Sequence, residues 1–262
     1  MIEPFSGPWG MELESFQSLD STSRYLWQQA LDGALHGSVV VADQQFSGRG
    51  RRGRQWHSPP GKNLYFSILL RPRLPLDQVP QLSLVTAAAL WTVLSQECVG
   101  LKIKWPNDLL CQGRKLAGIL AEMKPGADNA EFVIIGVGLN VNAQAVDFPP
   151  ELQGLVTSLS CECGRDFDLS ELLHKILQKL AIFIDRFNRE GLSGSIQDLI
   201  NRNFFLAEKD VVVNSGDRQR ECRAHSIDSS GRLLATDKDG QTIAFASGEA
   251  WLEKGLYNVS GH

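Results

Sequence analysis

Apolar residues recur along this chain first at helical and strand spacings in turn, then at strand spacing alone. Residues 24–35 read as a helix, with Tyr25, Leu26 and Leu31 among its apolar positions. Asp20-Ser21-Thr22-Ser23 precedes it as capping material, because a side-chain oxygen there accepts an orphan N–H of the first turn. Residues 38–42, Ser-Val-Val-Val-Ala, and 63–70 read as buried strands. Leu82, Val85, Ala89 and Val93 fall on one face of a long helix over 77–98. Strands follow at 103–105, at 109–111 and 116–123 as a hairpin about Gln112-Gly113-Arg114, and at 131–141. The last carries Gly136-Val137-Gly138; glycines weaken a strand, so they suggest that a ligand approaches its backbone.

An irregular stretch begins at Phe148. The strongest helix covers 168–190, with Leu172, Leu173, Ile176, Leu180, Ile184 and Phe187 as its apolar stripe and Gly191 as its stop. A shorter helix spans 195–203. Beyond it come short strands at 210–214, 221–227, 232–236 and 242–246, separated by glycine-bearing turns, the pattern of a small barrel. The predicted division is therefore 1–205 and 206–262, with residues 1–19 too few for a domain of their own.

Composition narrows the class. Among 262 residues, 43% are apolar and 21% charged, which suits a folded chain with a sizeable core. A net charge of −4 argues against a general polyanion binder. Five cysteines at irregular spacing, including Cys161-Glu162-Cys163, match no zinc pattern, so reduced thiols are expected. No secretory leader and no apolar run near the ~20 residues of a membrane span are present, which points to the cytoplasm and away from membranes.

Against that acidic background stands Gly48-Arg49-Gly50-Arg51-Arg52-Gly53-Arg54-Gln55-Trp56. Its glycines match the dinucleotide spacing G-x-G-x-x-G, but the strand ends six residues earlier and a proline-rich turn follows where a helix is required. What remains is a permissive loop of guanidinium forks suited to carboxylate or phosphate. A single-stranded nucleic acid gripped by basic and aromatic residues is the rival use of such a loop.

Three more clusters follow: Lys104-Trp105-Pro106-Asn107-Asp108, Arg114-Lys115-Leu116-Ala117-Gly118-Ile119-Leu120 and Gly136-Val137-Gly138-Leu139-Asn140. In order and spacing, the four together resemble the biotin protein ligases over nearly the whole chain, as the short class without an N-terminal DNA-binding domain. The resemblance implies an α+β fold, a mixed sheet with helices like that of class II aminoacyl-tRNA synthetases, plus a small SH3-like β-barrel at the C-terminus. It implies that biotin is activated with ATP and Mg²⁺ to biotinyl-5′-AMP. Transfer then goes to a lysine of the biotin carboxyl carrier protein of acetyl-CoA carboxylase.

By the same resemblance, Ser21, Thr22 and Gln45 meet the polar head of biotin, backed by Gly48 and Arg49. Gly118, Leu120, Gly136 and Gly138 line its apolar slot. Arg51 and Lys115 are the catalytic pair, serving both biotin and nucleotide, with Lys115 beside the carboxylate and α-phosphate. Trp56 and Asn140 lie at the adenylate end, and Asn107 and Asp108 on the phosphate side, with no protein metal site assigned. Ser23 stands where the family often has Asn and is left out of the site. The family includes monomers and homodimers, and DNA is not expected as a partner. A lipoate or octanoate ligase shares the fold but does not typically carry this arginine loop together with Lys-Trp-Pro-Asn-Asp.

Overall fold

The computed structural model describes residues 2, 7–10, 13–216 and 218–252. Its strands are β1 (Leu13–Leu19), β2 (Val39–Gln45), β3 (Leu64–Leu70), β4 (Leu101–Lys104), β5 (Asp108–Cys111), β6 (Arg114–Pro125) and β7 (Ala130–Leu139), then β8 (Lys209–Ser215), β9 (Arg218–Ile227), β10 (Leu233–Asp237), β11 (Thr242–Phe245) and β12 (Glu249–Leu252). The helices are α1 (Thr22–Leu31), α2 (Gln81–Leu94), α3 (Leu159–Cys163), α4 (Leu169–Glu190) and α5 (Ser195–Arg202). The first seven strands form one sheet in the order β1-β2-β3-β7-β6-β5-β4. It is mixed: β1 and β2 are parallel, and every other neighbouring pair is antiparallel. The last five form an antiparallel sheet, β11-β10-β9-β8-β12, as an SH3-like domain would have. Of the predicted second domain, 253–262 lie outside the described residues.

The interior strand β3, Leu-Tyr-Phe-Ser-Ile-Leu-Leu, is buried along its length because both faces of the sheet are covered there. Leu26 and Ala30 of α1 pack with Val40, Leu69, Phe132 and Ile134 on one face, while α2 and α4 cover the other. The single stripe expected of α2 falls short of what the helix buries: Gln81 through Leu90 are all buried, as in a helix enclosed by protein rather than lying on the surface. The helix also ends at both sides inside the predicted 77–98. In α4 the predicted stripe is buried throughout, Asp168 caps Glu171 N at 2.9 Å, and Gly191 follows the last turn.

Strands β1 and β12 and the short helix α3 were not foreseen. β1 has a mixed burial pattern with no clean alternation, and β12 is only four residues long. The expectation of reduced thiols fails for one pair: Cys98 and Cys111 are bonded, bringing the segment after α2 against β5, whereas Cys161, Cys163 and Cys222 are free. Thirteen residues of sequence separation gave no sign of it, because the pairing depends on how α2 lies across the sheet.

Candidate active site

A cleft opens over strands β6 and β7, and glycines make its floor. Gly136 and Gly138 are two apart on β7 and so face the same side. Gly118 on β6 is the register partner of Gly138. A Cβ on Gly118 would stand 2.7 Å from Cζ3 of Trp56, one on Gly138 would overlap that indole, and one on Gly136 would strike Ser23 Oγ. Close approach to these strands was expected; among the protein's own groups, Trp56 and Ser23 make it. From Gly136 to Asn140 the floor extends roughly 14 Å at ~3.4 Å per residue.

The Gly136 end is lined with hydroxyls. Ser21 occupies the N-cap position of α1 but makes no side-chain cap bond, so its hydroxyl is not spent on the helix. Its amide instead donates to Asp20 Oδ1 at 2.6 Å. Thr22 donates from its amide to Gln45 Oε1 at 3.0 Å, and its Oγ1 lies 2.8 Å from Ser67 Oγ. Ser23 Oγ lies 3.0 Å from the same Ser67. Gln45 Nε2 donates to Ser58 Oγ at 3.2 Å, which fixes which end of the amide faces the helix.

Cations fill the middle. Lys115 Nζ stands 2.9 Å from Asp108 Oδ1 and 5.4 Å from the centre of the Trp56 ring. The ammonium is off the hydrogen-bonding direction of that oxygen, which is therefore charge-compensated but has no directed bond. Arg51 donates to Asn107 Oδ1 at 3.3 Å and to Gly248 O at 3.1 Å. Burial lowers the Arg51 guanidinium from its usual value, opposed by Glu249 and Asp108, and burial likewise lowers Lys104, opposed by Asp108. Asn107 also donates to Ile119 O at 2.7 Å, so the turn before β5 is locked to β6.

The arginine loop is a small hairpin. Gly50 N donates to Arg54 O at 2.7 Å and Trp56 N to Gly48 O at 2.9 Å, with Arg52 at the left-handed bend, φ 55°. All four guanidinium groups are turned onto the protein. Arg49 pairs with Glu122 at 2.7 Å, Arg54 with Glu249, and Arg52 lies 3.6 Å from Glu249. A loop so engaged is poorly placed to track a nucleic acid.

At the Asn140 end, residues 142–157 turn back over the cleft and present Phe148, Leu152 and Val156. Lys115 N donates to Leu155 O and Thr157 N to Lys115 O, both at 2.9 Å, so this segment straddles the lysine's backbone.

Every residue expected in the site except Gly48 lines this cleft: Ser21, Thr22, Gln45, Arg49, Arg51, Trp56, Asn107, Asp108, Lys115, Gly118, Leu120, Gly136, Gly138 and Asn140. Gly48 lies just behind, with no room for a Cβ against Ser58 and the carbonyl of Trp56. Sequence reasoning missed Ser23, Ser67, His57, Phe148 and Glu249 as parts of the site or its support, whereas Lys104 of the Lys-Trp-Pro-Asn-Asp cluster does line the cleft. A lone serine inside Leu64–Leu70 carries no signal, and Glu249 meets Arg54 only through the fold. Among the described residues, five buried side-chain polar atoms lack a hydrogen-bond partner; Trp9 Nε1 and Asn214 Oδ1 lie elsewhere, and Trp56 Nε1, Asp108 Oδ1 and Asn140 Oδ1 gather in the cleft. Buried polar atoms are seldom left so, which is the mark of a site built for a ligand.

Residues 15–140 match the Biotin/lipoate A/B protein ligase family. A biotin--[acetyl-CoA-carboxylase] ligase of Paracoccus denitrificans is 33% identical over 215 residues, 80% of this chain and 88% of that protein. The chain belongs to the biotin protein ligase family. Another member of the family, the bifunctional ligase/repressor BirA of Bacillus subtilis, is 43% identical over 170 residues, 64% of this chain and 52% of that protein. The chain thus spans about half the length of the Bacillus relatives it matches. A biotin protein ligase from Aquifex aeolicus, solved in complex with biotin and ATP, superposes with TM-score 0.80 at 28% identity, covering 93% of this chain and 99% of the other.

Proposed function

We propose that this protein activates biotin with MgATP and transfers the biotinyl group to a lysine of a biotin carboxyl carrier protein, that of acetyl-CoA carboxylase. The observation that carries the reading is the order of groups along the glycine floor: hydroxyls at Gly136, the Lys115–Asp108 pair and Arg51 in the middle, and an aromatic and apolar end at Asn140. That order suits a ligand with a polar head, a reacting carboxylate and phosphate, and a flat base. The named relatives are biotin ligases, and none of this favours the lipoate alternative.

In the first step a carboxylate oxygen of biotin attacks the α-phosphorus of ATP. One P–O bond forms, the bond to the β-phosphate bridge breaks, and pyrophosphate leaves with its electron pair. Lys115 and Arg51 offset the charge that builds on the α-phosphoryl oxygens. The oxygens of Asp108 and Asn107 are hard donors of the kind that would hold the Mg²⁺ of MgATP, which would offset charge on the nucleotide's phosphates. In the second step a neutral lysine amine attacks the acyl carbon of biotinyl-5′-AMP, the C–N bond forms, AMP departs, and the amine's proton is lost. The arginine hairpin shields the mixed anhydride from water between the two steps. Ser21, Thr22 and Gln45 hold the head of biotin, and Ser67 positions Thr22.

This reading makes 1–205 the catalytic domain and 206–262 an SH3-like barrel that closes one wall of the site, and places the enzyme in the cytoplasm. The test is incubation with biotin, MgATP and a biotin carboxyl carrier domain, read by intact mass. Lysine biotinylation is expected; modification with lipoate in place of biotin, or no modification, would overturn it.

A further inference from the structure

We propose that Lys62 and Asp147, which lie outside the cleft, are positioning residues for the nucleotide, fixing the 142–157 segment so that Phe148 and Leu152 face its base. The proposal rests on the reaction assigned above. Lys62 ties the segment twice. Its carbonyl accepts Asn142 N at 2.7 Å, where the segment leaves β7, and its ammonium sits 2.7 Å from both carboxylate oxygens of Asp147. Asp147 in turn organises the backbone around it: Oδ2 accepts Gln144 N at 2.7 Å, closing the capping box of the short turn Ala145–Asp147. Its carbonyl accepts His57 Nε2 at 2.9 Å, which sets that imidazole as the Nε2–H tautomer.

The next residue, Phe148, is buried and lines the cleft, with its ring 6.2 Å from that of His57. Lys62, Asp147 and His57 therefore meet at the point where the segment turns inward. Farther on, the same segment is tied to Lys115 through Leu155 and Thr157. An ion pair on the surface thus sets the register of an aromatic wall whose other end holds the reacting lysine. None of these contacts is made to Ser21, Thr22 or Gln45 directly, and the nearest link is through Ser58, next to His57, which accepts from Gln45 Nε2 at 3.2 Å, so the larger effect should fall on nucleotide and the smaller on biotin.

The test titrates a non-hydrolysable ATP analogue with Mg²⁺, and separately biotin, into the wild-type protein and into Lys62→Ala, Asp147→Asn and Lys62→Arg, by calorimetry. No turnover is needed, and biotin-dependent pyrophosphate exchange on the wild type tests the reaction independently. Lys62→Ala and Asp147→Asn should each weaken the analogue about two- to fivefold, the fold-change of a partly exposed ion pair, with a smaller change for biotin. Lys62→Arg should restore it. Wild-type analogue affinity in Lys62→Ala, equal losses for analogue and biotin, or no recovery with arginine would each overturn the proposal.

Discussion

Replacing the floor glycines separates binding from stability. In Gly118→Ala the new Cβ would stand 2.7 Å from Cζ3 and 3.3 Å from Cε3 of Trp56. Carbon atoms settle at about 3.5–4 Å, so the indole must retreat by roughly 1 Å. Trp56 sits on the arginine hairpin and is only half buried, so it has room to move without unfolding the sheet. The strand itself gains, since alanine is favoured over glycine there by roughly 0.5–1 kcal/mol. The ligand meets both the new methyl and the displaced ring, and overpacking of this kind costs about 1–3 kcal/mol, or about 5- to 150-fold in affinity. In Gly138→Ala the overlap with the indole is deeper, so its loss should be the larger. Thermal melts and calorimetric titration with biotin read the two quantities separately. Melting temperatures should stay within a few degrees of wild type while affinity falls in the order wild type, Gly118→Ala, Gly138→Ala. Wild-type biotin affinity in Gly138→Ala would show that the ligand does not lie on this floor. A collapse of the Gly118→Ala melt would show that Trp56 cannot yield.

Three further outcomes follow from the same geometry. Lys115→Ala removes the ammonium 2.9 Å from Asp108 and should lower biotin-dependent ATP–pyrophosphate exchange by on the order of 10²-fold or more; normal exchange would remove Lys115 from the chemistry. Arg51→Ala frees the hairpin from Asn107 and Gly248 and should form biotinyl-5′-AMP more slowly and then release it, so unchanged retention through gel filtration would count against the shielding role. The Asp147 carboxyl is held below the ordinary aspartate value, first by Lys62 and then by the amide of Gln144. Its stabilising effect is therefore present above the ordinary value near pH ~4 and lost as pH falls through the lowered one. The melting difference between wild type and Asp147→Asn should shrink in acid, and a constant gap from pH 7 to pH 3 would refute the assignment.

The sequence carried most of the fold wherever one element buries one face against one neighbour. In α4 the stripe, the capping aspartate and the terminal glycine are local, and all three stand where the spacing put them. It failed where burial depends on a second layer. Enclosed between the sheet and α4, α2 hides every residue of its first ten, which no single-face periodicity can express. Within the site, motif order put nearly all of its expected residues on the cleft, yet it passed over Ser67. That hydroxyl, on the only serine in Leu64–Leu70, is met by both Thr22 and Ser23 because α1 crosses β3 at that point. Ser23 had been set aside on its identity alone, and the crossing puts it against Gly136 regardless.

The arginine hairpin illustrates why composition could name its chemistry and not its setting. Four guanidinium groups in a permissive loop announce an anion, but in this fold the nearest anions are the protein's own: Glu122 faces Arg49, and Glu249 faces Arg52 and Arg54. Glu249 opens β12, nearly two hundred residues away, and reaches the hairpin because Trp105 donates to Gly231 O at 3.1 Å and so fixes the second sheet beside the turn that holds Asn107 and Asp108. The loop's shape is thus set by two carboxylates from different sheets, and its excess positive charge, with Arg51 and Lys115 turned inward, is left facing the cleft. An incoming nucleotide meets cations whose positions are already held, which lowers the cost of ordering them at the moment of binding.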